Sequence, residues 1–409
     1  MISYRADWVL PISEAPIPGG VVGVDGDRIA QVGVDAGGEA VDLGRVAILP
    51  SLVNAHTHLE LSYLHGRIPR GEHFVQWVST VIAARRDYPD PADERIVGAA
   101  RNAIVDVKNS GTGLVGDVSN TLITVPLLRD AGLPAQVFYE LLGFNAPDPE
   151  ARVRQARALA RGSAASRDVR VALAPHAPYS VSPAMFAAIR ADVDAHAPAV
   201  STVHLGESPE EVEFLRRGSG PFRTLLENVG AWNEEWHAPG TSPVAYLSEL
   251  GFLDRSVLAV HGVQFDGGDL STLAALGMTV VSCPRSNQYV GVGPPPIEAF
   301  YAMDVDVAFG TDSLASAPDL NLFAELAEAR RLAPRVPARR LIESATRVGA
   351  RALGFAAELG TIEAGKRASL IAVRVPEGVS DVEEYLVSGV RLDTIRWVSE
   401  AGQHKGTRH

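Results

Sequence analysis

Short apolar runs and longer amphipathic stretches alternate along the middle of the chain. The apolar runs predict strands at 50–55, 114–118, 134–140, 170–174, 200–204, 257–261, 279–282 and 305–309. The stretches between them predict helices, for example at 92–109, 150–161, 183–196 and 322–333. Alternating strands and helices indicate an α/β protein with a parallel sheet, and eight such units favour closure into a (β/α)8 barrel of the TIM type. An open, doubly wound sheet is the alternative, but no Gly-x-Gly-x-x-Gly fingerprint follows the first strand.

Both ends of the chain have the short apolar runs and frequent turns of a small sheet. An Asp-Gly pair at 25–26 separates two apolar runs and predicts a hairpin. The segment 360–375 has a similar pattern near the other end. We therefore expect a small β-sandwich domain formed by residues 1–49 and 358–409, and a barrel formed by residues 50–357.

Composition narrows the class of partner. The 409 residues include 49 acidic and 37 basic residues, and the formal net charge is −12. This balance argues against nucleic acid or an anionic membrane and leaves a small molecule as the expected partner. Cys283 is the single cysteine, which excludes an intramolecular disulfide and a cysteine-built metal site. Without a recognisable signal peptide or an apolar stretch of about 20 residues, we expect a cytoplasmic protein, and a homodimer stays open.

Polar side chains of the kind that bind metals follow the predicted strands. His56 and His58 lie two residues apart in Asn54-Ala-His56-Thr-His58, so on a strand they share one face and can share one ion. Other strands end in the same way, at His176, His204, His261 and Asp312. A single histidine of this kind is usually a hydrogen-bonded core residue. Several together would meet at the carboxyl ends of the barrel strands, where barrel enzymes have their active sites, and so predict a metal-dependent active site.

The segments that contain these residues resemble a known superfamily. They are NAHTHLELS, HAPYSVSP, HLGES, VHGV, CPRSN and GTDSLAS, in this order from about Ile48 to Leu320. The set resembles the amidohydrolase superfamily, in its cytosine, guanine and adenosine-type deaminase branch. HTHLELS and CPRSN in particular resemble the aminodeoxyfutalosine deaminases of menaquinone biosynthesis. The substrate implied by that resemblance is an adenine nucleoside with a carboxyphenyl ketone, converted to futalosine and ammonia.

The resemblance also implies roles for individual residues. The implied ligands of one divalent metal ion are His56, His58, His204 and Asp312. Three imidazoles and a carboxylate suit zinc, with Fe(II) as the alternative. His261 and Asp312 would handle the attacking water, and His176 would face the nucleoside. Glu207, three residues after His204, would carry the proton from the water to the ring nitrogen.

General chemistry agrees with these roles. A divalent metal lowers the pKa of bound water from about 15.7 to about 7, which makes a strong nucleophile available at neutral pH. An aromatic ring accepts the attack only when a general acid protonates a neighbouring ring nitrogen. The amino group must also gain a proton in order to leave as ammonia, and Glu207 could carry out both proton transfers. Its alternative role is that of a carboxylate at the start of a helix.

Several alternatives stay open at this point. No lysine lies between Lys108 and Lys366, so the bridging lysine of binuclear relatives is absent and a single metal is favoured. A carboxylate bridge by Glu140 would be the binuclear alternative. Other candidate functions are an imidazolonepropionase-like amide hydrolase, a triazine hydrolase-like enzyme and a metal-free scaffold protein. Other candidate substrates are S-adenosylhomocysteine, methylthioadenosine, guanine-like bases and pterins.

Two further features point to the substrate. Arg285 follows the seventh strand, and its guanidinium is suited to a bidentate grip on the carboxylate of the nucleoside. Its alternative is an ion pair with an acid such as Glu298. The stretch 218–243 is rich in Gly, Pro and Trp and is expected to be an inserted loop. Its aromatic residues would form a lid or, alternatively, pack on the barrel surface; they include Phe222, Trp232 and Trp236.

Overall fold

The strands set the architecture, in a computed structural model that describes residues 1–35, 38–71, 73–163 and 165–401. They are β1 (Ile2–Arg5), β2 (Trp8–Val9), β3 (Ile17–Pro18), β4 (Val21–Asp25), β5 (Arg28–Gly33), β6 (Val41–Asp42), β7 (Val46–Pro50), β8 (Leu52–Thr57), β9 (Thr112–Ser119), β10 (Ala135–Leu141), β11 (Val169–Pro175), β12 (Ser201–Leu205), β13 (Val257–His261), β14 (Thr279–Ser282), β15 (Asp306–Phe309), β16 (Leu370–Arg374) and β17 (Ile395–Trp397).

The helices lie mostly between the strands from β8 to β16. They are α1 (Phe74–Arg86), α2 (Glu94–Asn109), α3 (Thr124–Asp130), α4 (Pro149–Gly162), α5 (Pro183–Ala195), α6 (Pro209–Arg217), α7 (Pro221–Asn228), α8 (Pro243–Glu249), α9 (Gly267–Ala275), α10 (Pro284–Tyr289), α11 (Ile297–Ala302), α12 (Leu322–Leu332), α13 (Ala338–Glu343), α14 (Gly349–Ala352), α15 (Val382–Leu386) and α16 (Val398–Ala401). Short 3₁₀ helices at Leu59–Leu64 and Leu392–Thr394 and a π-helical stretch at Ser344–Val348 complete the set.

Eight parallel strands form two four-stranded sheets. One has the order β11-β10-β9-β8 and the other the order β12-β13-β14-β15. Every pairing within these sheets is parallel, as the helical connections between consecutive strands require. The eight predicted strands are thus found, with ends that differ from the predicted ones by no more than two residues.

Backbone hydrogen bonds join the two sheets at both of their edges. Between β11 and β12, the backbone N–H of His204 donates to the carbonyl oxygen of His176 at 2.9 Å. On the opposite side, the N–H of Asp312, just after β15, donates to the carbonyl oxygen of His56 in β8 at 3.0 Å. These two bonds close the eight strands into a ring and agree with the predicted (β/α)8 barrel.

The barrel interior is filled with side chains. Phe138 from β10 and Val260 from β13 belong to one buried cluster, with aliphatic residues of β8, β9 and β14 around them. The ring of strands is therefore a packed core, and a polar site has room only above one end of it. Among the described residues, no helix has both the length and the hydropathy that a membrane span requires.

The chain ends build two further sheets. One has the order β5-β4-β1-β6, and the other has the order β17-β16-β7-β2-β3. The second combines both ends of the chain, because β16 pairs antiparallel with β7, for example Ile371 with Leu49. The predicted hairpin at the Asp-Gly pair is confirmed by the antiparallel pairing of β4 with β5. The division into domains at 1–49, 50–357 and 358–409 stays a prediction, and residues 36, 37, 72, 164 and 402–409 of these ranges lie outside the described residues.

Candidate active site at the carboxyl ends of the barrel strands

Four side chains predicted to bind a metal converge in one cluster. The Nε2 atoms of His56 and His58 lie 3.2 Å apart, and those of His58 and His204 lie 3.4 Å apart. Oδ1 of Asp312 is 3.6 Å from Nε2 of His58 and 3.8 Å from Nε2 of His56. Tetrahedral ligands at the usual bond lengths of about 2.0–2.1 Å are roughly 3.3 Å apart, so this donor set fits one divalent ion.

The protonation of the imidazoles supports the same interpretation. Nδ1 of His204 donates to the carbonyl oxygen of His176 at 3.0 Å, which leaves Nε2 without a proton and free to bind a metal. Burial, with smaller contributions from neighbouring histidines, holds the pKa of His56 well below its ordinary value. Burial also lowers the pKa of His58. Neutral imidazoles, which are the form that binds metals, are therefore favoured at His56 and His58.

Asp312 is held by two hydrogen bonds. The Ser286 hydroxyl donates to Oδ2 at 2.6 Å, and the backbone N–H of Ser313 donates to Oδ1 at 2.7 Å. Burial opposes ionisation of Asp312, but His58, His261 and Ser286 outweigh it, and the pKa of the carboxyl lies below its ordinary value. Asp312 has a φ of +59°, a strained conformation for a residue other than glycine, and such strain is concentrated at functional sites.

Glu207 and His261 face each other beside this cluster. Oε1 of Glu207 lies 3.6 Å from Nε2 of His261, and both side chains are buried. Burial, followed by the charge of Asp312, raises the pKa of Glu207 well above its ordinary value, so a protonated carboxyl is favoured. Burial lowers the pKa of His261 to about 3, and Asn287 Nδ2 lies 3.0 Å from its Nδ1. The pair thus combines a carboxylic acid with a neutral imidazole.

A cavity of about 380 Å³ opens over these groups. The polar side chains on its wall include His58, His176, His204, Glu207, His261 and Asp312. The α1 helix contributes apolar side chains to one wall, and the residues of α7 and the turn after it contribute others; they are Phe74, Trp77, Val78, Val81, Ile82, Phe222, Leu225, Leu226, Val229 and Ala231. Two arginines, Arg85 and Arg152, also line it. The cavity thus has a polar end beside the histidine–aspartate cluster and an apolar wall, and two arginine side chains also line it.

Arg285 lies outside the residues that line this cavity. Its Nη1 donates to Oδ1 of Asp319 at 2.8 Å and is 3.5 Å from Oε1 of Glu325. The alternative partner Glu298 pairs with Arg335. A helix, α10, begins directly after β14, and its first turn directs the guanidinium of Arg285 toward the acids near α12. The position of Arg285 therefore does not support the predicted contact between its guanidinium and the substrate carboxylate.

The stretch 218–243 is not a simple loop, because it contains α7 and the start of α8. Its Phe222 lines the cavity and stacks on Tyr179 with 3.7 Å between the ring centroids. Trp232 and Trp236 do not line it, and both pack against Phe144. One predicted aromatic residue thus reaches the cavity and two serve as packing. A lid function stays a prediction.

Glu140 lies beside the cluster rather than in it. Its Oε1 is 3.5 Å from Nδ1 of His204, on the side of the ring opposite to the clustered Nε2, and its Oε2 accepts from Asn120 Nδ2 at 2.9 Å. Glu140, His176 and His204 could form a second group of ligands. The Nδ1 atom of His204 already donates to a carbonyl, however, which favours one ion over two.

Sequence reasoning missed several residues that support the site. Ser286 and Asn287 lie inside the CPRSN segment, but nothing in the pattern indicates that they face Asp312 and His261. Glu211 was detectable, because Ser208-x-x-Glu211 has the spacing of a helix capping box. Its carboxylate is completely buried, and burial raises its pKa to about 7.

Comparison with known proteins agrees with the geometry. The model of the amidohydrolase family matches residues 47–396. The chain belongs to the amidohydrolase family. It is 31% identical to a 5-methylthioadenosine/S-adenosylhomocysteine deaminase of Moorella thermoacetica, over 95% of this chain and 90% of that protein. It is 33% identical to an aminodeoxyfutalosine deaminase of Deinococcus radiodurans, over 83% and 82% of the two chains.

A solved structure extends the comparison. An adenosine deaminase from Xanthomonas campestris with bound zinc matches with a TM-score of 0.80 and 26% identity, over 96% of this chain and 90% of that chain. This amidohydrolase is thus a hydrolase, and its deaminase relatives support action on carbon–nitrogen bonds of cyclic amidines. The family and the zinc-bound structure support a divalent metal at the histidine–aspartate cluster.

Proposed function

We propose that this amidohydrolase is a zinc-dependent deaminase of an adenine nucleoside, with aminodeoxyfutalosine as its substrate and futalosine and ammonia as products. The observation that carries the deaminase assignment is Glu207. It is buried beside the ligand cluster on the cavity wall, and burial raises its pKa well above the ordinary value, which favours the protonated carboxyl. An enzyme that must protonate a ring nitrogen needs such a group.

The proposed roles divide the reaction among these residues. The proposed zinc ligands are His56, His58, His204 and Asp312, and the ion would supply a water of lowered pKa. Glu207 protonates the ring nitrogen next to the carbon that is attacked. Asp312 and the neutral His261 take up the proton that the attacking water loses. That proton passes from His261 to the facing Glu207, which transfers it to the amino group; the C–N bond then breaks and ammonia leaves. The hydroxyl on the ring carbon gives up its proton to Asp312 as the carbonyl forms, and this second proton restores the protonated Glu207. His176 contacts the nucleoside from the cavity wall.

The cavity walls favour the larger of the candidate nucleosides. The apolar side chains of α1 and α7 suit an aromatic substituent at the far end of the ribose. Arg152 lines the same cavity and has no ion-pair partner among the described residues, so its guanidinium is free to bind a carboxylate. Aminodeoxyfutalosine carries both an aromatic ring and a carboxylate, and its deamination belongs to menaquinone biosynthesis.

The relatives supply a second candidate. Methylthioadenosine and S-adenosylhomocysteine have the same purine ring with smaller or non-aromatic substituents, and the Moorella thermoacetica relative is named for them. The part of the site that binds the purine would make the same contacts with aminodeoxyfutalosine, methylthioadenosine and S-adenosylhomocysteine. The apolar walls and Arg152 together favour aminodeoxyfutalosine, because the carboxylate of S-adenosylhomocysteine lies on an aliphatic chain with an ammonium group beside it.

The experiment is a substrate panel with the purified zinc protein. Ammonia release is measured with aminodeoxyfutalosine, methylthioadenosine, S-adenosylhomocysteine, adenosine and guanine, and ring opening of imidazolonepropionate is followed by its loss of ultraviolet absorbance. We expect the highest kcat/KM for aminodeoxyfutalosine, and a loss of about 10²–10⁴-fold in kcat for Glu207→Gln, with the metal retained. A higher kcat/KM for methylthioadenosine would show that the enzyme is a deaminase with methylthioadenosine, rather than aminodeoxyfutalosine, as its substrate. Turnover of imidazolonepropionate alone would refute a deaminase.

A further inference from the structure

The short segment Gly206-Glu207 connects β12 to α6 and carries the proposed proton carrier. Neighbours hold its backbone on two sides. The N–H of Gln264 donates to the carbonyl oxygen of Gly206 at 2.8 Å. The ring of Phe265 packs directly on Gly206, where a Cβ atom would come within 2.5 Å of it. Gly206 has a φ of +63°, which a glycine adopts without strain.

Glu211 holds the same segment from a third side. Its Oε1 accepts from the N–H of Gly206 and its Oε2 from the N–H of Glu207, each at 3.0 Å. One carboxylate thus spans two consecutive amides. The Glu211 side chain is completely buried, and no cation among the described residues forms an ion pair with it. The two amides are therefore its principal compensation for the loss of water.

Ordinary helix capping does not require this arrangement. In α9, Asp269 occupies the third helical position and its Oδ2 accepts from the N–H of the cap residue Asp266 itself. In α6, Glu211 occupies the same position, but its carboxylate bypasses the cap residue Ser208 and reaches the two residues before it. The Ser208 hydroxyl already accepts from the N–H of Glu211 and caps the helix.

We propose that Glu211 is a positioning residue, which fixes the backbone of Gly206 and Glu207 so that the Glu207 carboxyl stays beside His261. This inference rests on the proposed role of Glu207 as proton carrier. Proton transfer requires the acid within hydrogen-bond reach of the substrate nitrogen. Rotation of the two amides would turn the Cα–Cβ bond of Glu207 and move its carboxyl out of that reach.

The test is a double-mutant cycle in the zinc-loaded protein. The kcat for ammonia release is measured with aminodeoxyfutalosine and methylthioadenosine, and the better substrate of the unaltered protein is used. Glu211→Gln places an N–H₂ group against one amide, so we expect kcat to fall roughly 10–100-fold while KM changes less than about threefold. In a Glu207→Gln background the same change should alter kcat less than about twofold, because Glu211 acts through Glu207.

Controls separate positioning from folding. Asp269→Asn removes a comparable carboxylate from the start of α9 and should leave kcat within about twofold, because Asp269 does not contact the Gly206-Glu207 amides. Zinc content and the unfolding midpoint are measured for each variant. Should Glu211→Gln not fold, Glu211→Asp keeps the charge but is one methylene too short to reach both amides, and kcat should again fall at unchanged KM.

The outcomes distinguish this inference from the proposed function. An equal loss of kcat from Glu211→Gln in both backgrounds would overturn it, as would loss of zinc from that variant. A folded, zinc-loaded Glu211→Asp protein with unaltered kcat would also overturn it. Unaltered kcat in Glu207→Gln would instead overturn the catalytic role of Glu207 and, with it, the proposed mechanism.

Discussion

The hydroxyl of Ser286 donates a hydrogen bond to the Asp312 carboxylate, with 2.6 Å between Oγ and Oδ2. Ser286 is completely buried at the start of α10 and fixes the orientation of a proposed metal ligand. Groups that orient metal ligands typically contribute 10–100-fold to affinity or activity.

Ser286→Ala should therefore weaken zinc binding by roughly 10–100-fold, because Asp312 loses a donor that favours its ionised form. The measurement is a competition titration with a chromophoric chelator. Ser316→Ala is the matched control, since its hydroxyl bonds to Ser313 rather than to Asp312. Equal affinities in the two variants would show that the Ser286 bond does not support the ligand.

The metal content should be one equivalent per chain. His58→Ala should lose the ion and the activity, because Nε2 of His58 lies within 3.2–3.6 Å of three other ligand atoms. His176→Ala should keep the full equivalent, because only the backbone carbonyl of His176 holds the ligand His204. Elemental analysis after gel filtration measures both. Two equivalents in the unaltered protein, with one lost in His176→Ala, would indicate a second ion at Glu140.

Arg152 and Arg285 should respond differently to removal. Arg152→Met should raise KM for aminodeoxyfutalosine about 10–100-fold and leave KM for methylthioadenosine nearly unchanged, because the second substrate has no carboxylate. Arg285→Met should affect both substrates alike, since its guanidinium is engaged by Asp319. Steady-state kinetics with the two nucleosides decide this. A loss specific to the carboxylate substrate in Arg285→Met alone would reverse the assignment.

Gly206→Ala should lower both the free energy of unfolding and kcat. The new Cβ would lie 2.5 Å from the Phe265 ring, and the φ of +63° would be strained. We expect a cost of about 1–3 kcal/mol from crowding in addition to about 1–2 kcal/mol from the backbone. Gly277→Ala has a similar φ of +64° with open space around it, and should show the backbone cost alone. Urea denaturation of both variants compares them, and equal free energies of unfolding would refute the crowding.

Buried Glu325 should make stability depend on pH. Burial, only partly offset by Arg285, raises its pKa from 4.5 to about 8. A raised folded-state pKa means that its contribution to stability is fully present below pH 4.5 and is lost as the pH rises through 8. Glu325→Gln should therefore gain stability relative to the unaltered protein between pH 5 and pH 9. Urea titrations across this range test the trend.

The control for this pH effect is Glu298→Gln. Glu298 is only partly buried, and its hydrogen bond with Arg335 lowers the pKa of the carboxyl, so it stays ionised from pH 5 to pH 9. The stability difference between Glu298→Gln and the unaltered protein should accordingly be flat over this range. A flat difference for Glu325→Gln as well would mean that Glu325 titrates normally.

The barrel and the ligand cluster were predictable because one physical rule governs both. Parallel strands buried on both faces are continuous apolar runs, and the first polar residue after each run lies at the same end of the barrel. That rule identified His204 and His261, and the structure brings both together with His56 and Asp312.

Features set by local turns were not predictable in this way. Arg285 follows its strand just as His261 does, yet α10 starts within two residues and turns the guanidinium away from the cavity. Arg85 and Arg152 reach the cavity from the helices α1 and α4, whose orientation over the barrel depends on long-range packing. The sequence pattern contains no signal for that orientation.

The two seams of the barrel lie directly beneath the ligands. His56 and Asp312 join β8 to the segment just after β15 through their backbones, and His204 joins β12 to the residue after β11. An ion bound by these same residues would connect the two four-stranded sheets that form the barrel. Tightly bound metal would then stabilise the folded state by mass action, and a chelator would loosen the barrel as well as stop the chemistry. Removal of the ion from this one site would therefore lower the thermal stability and abolish the activity together.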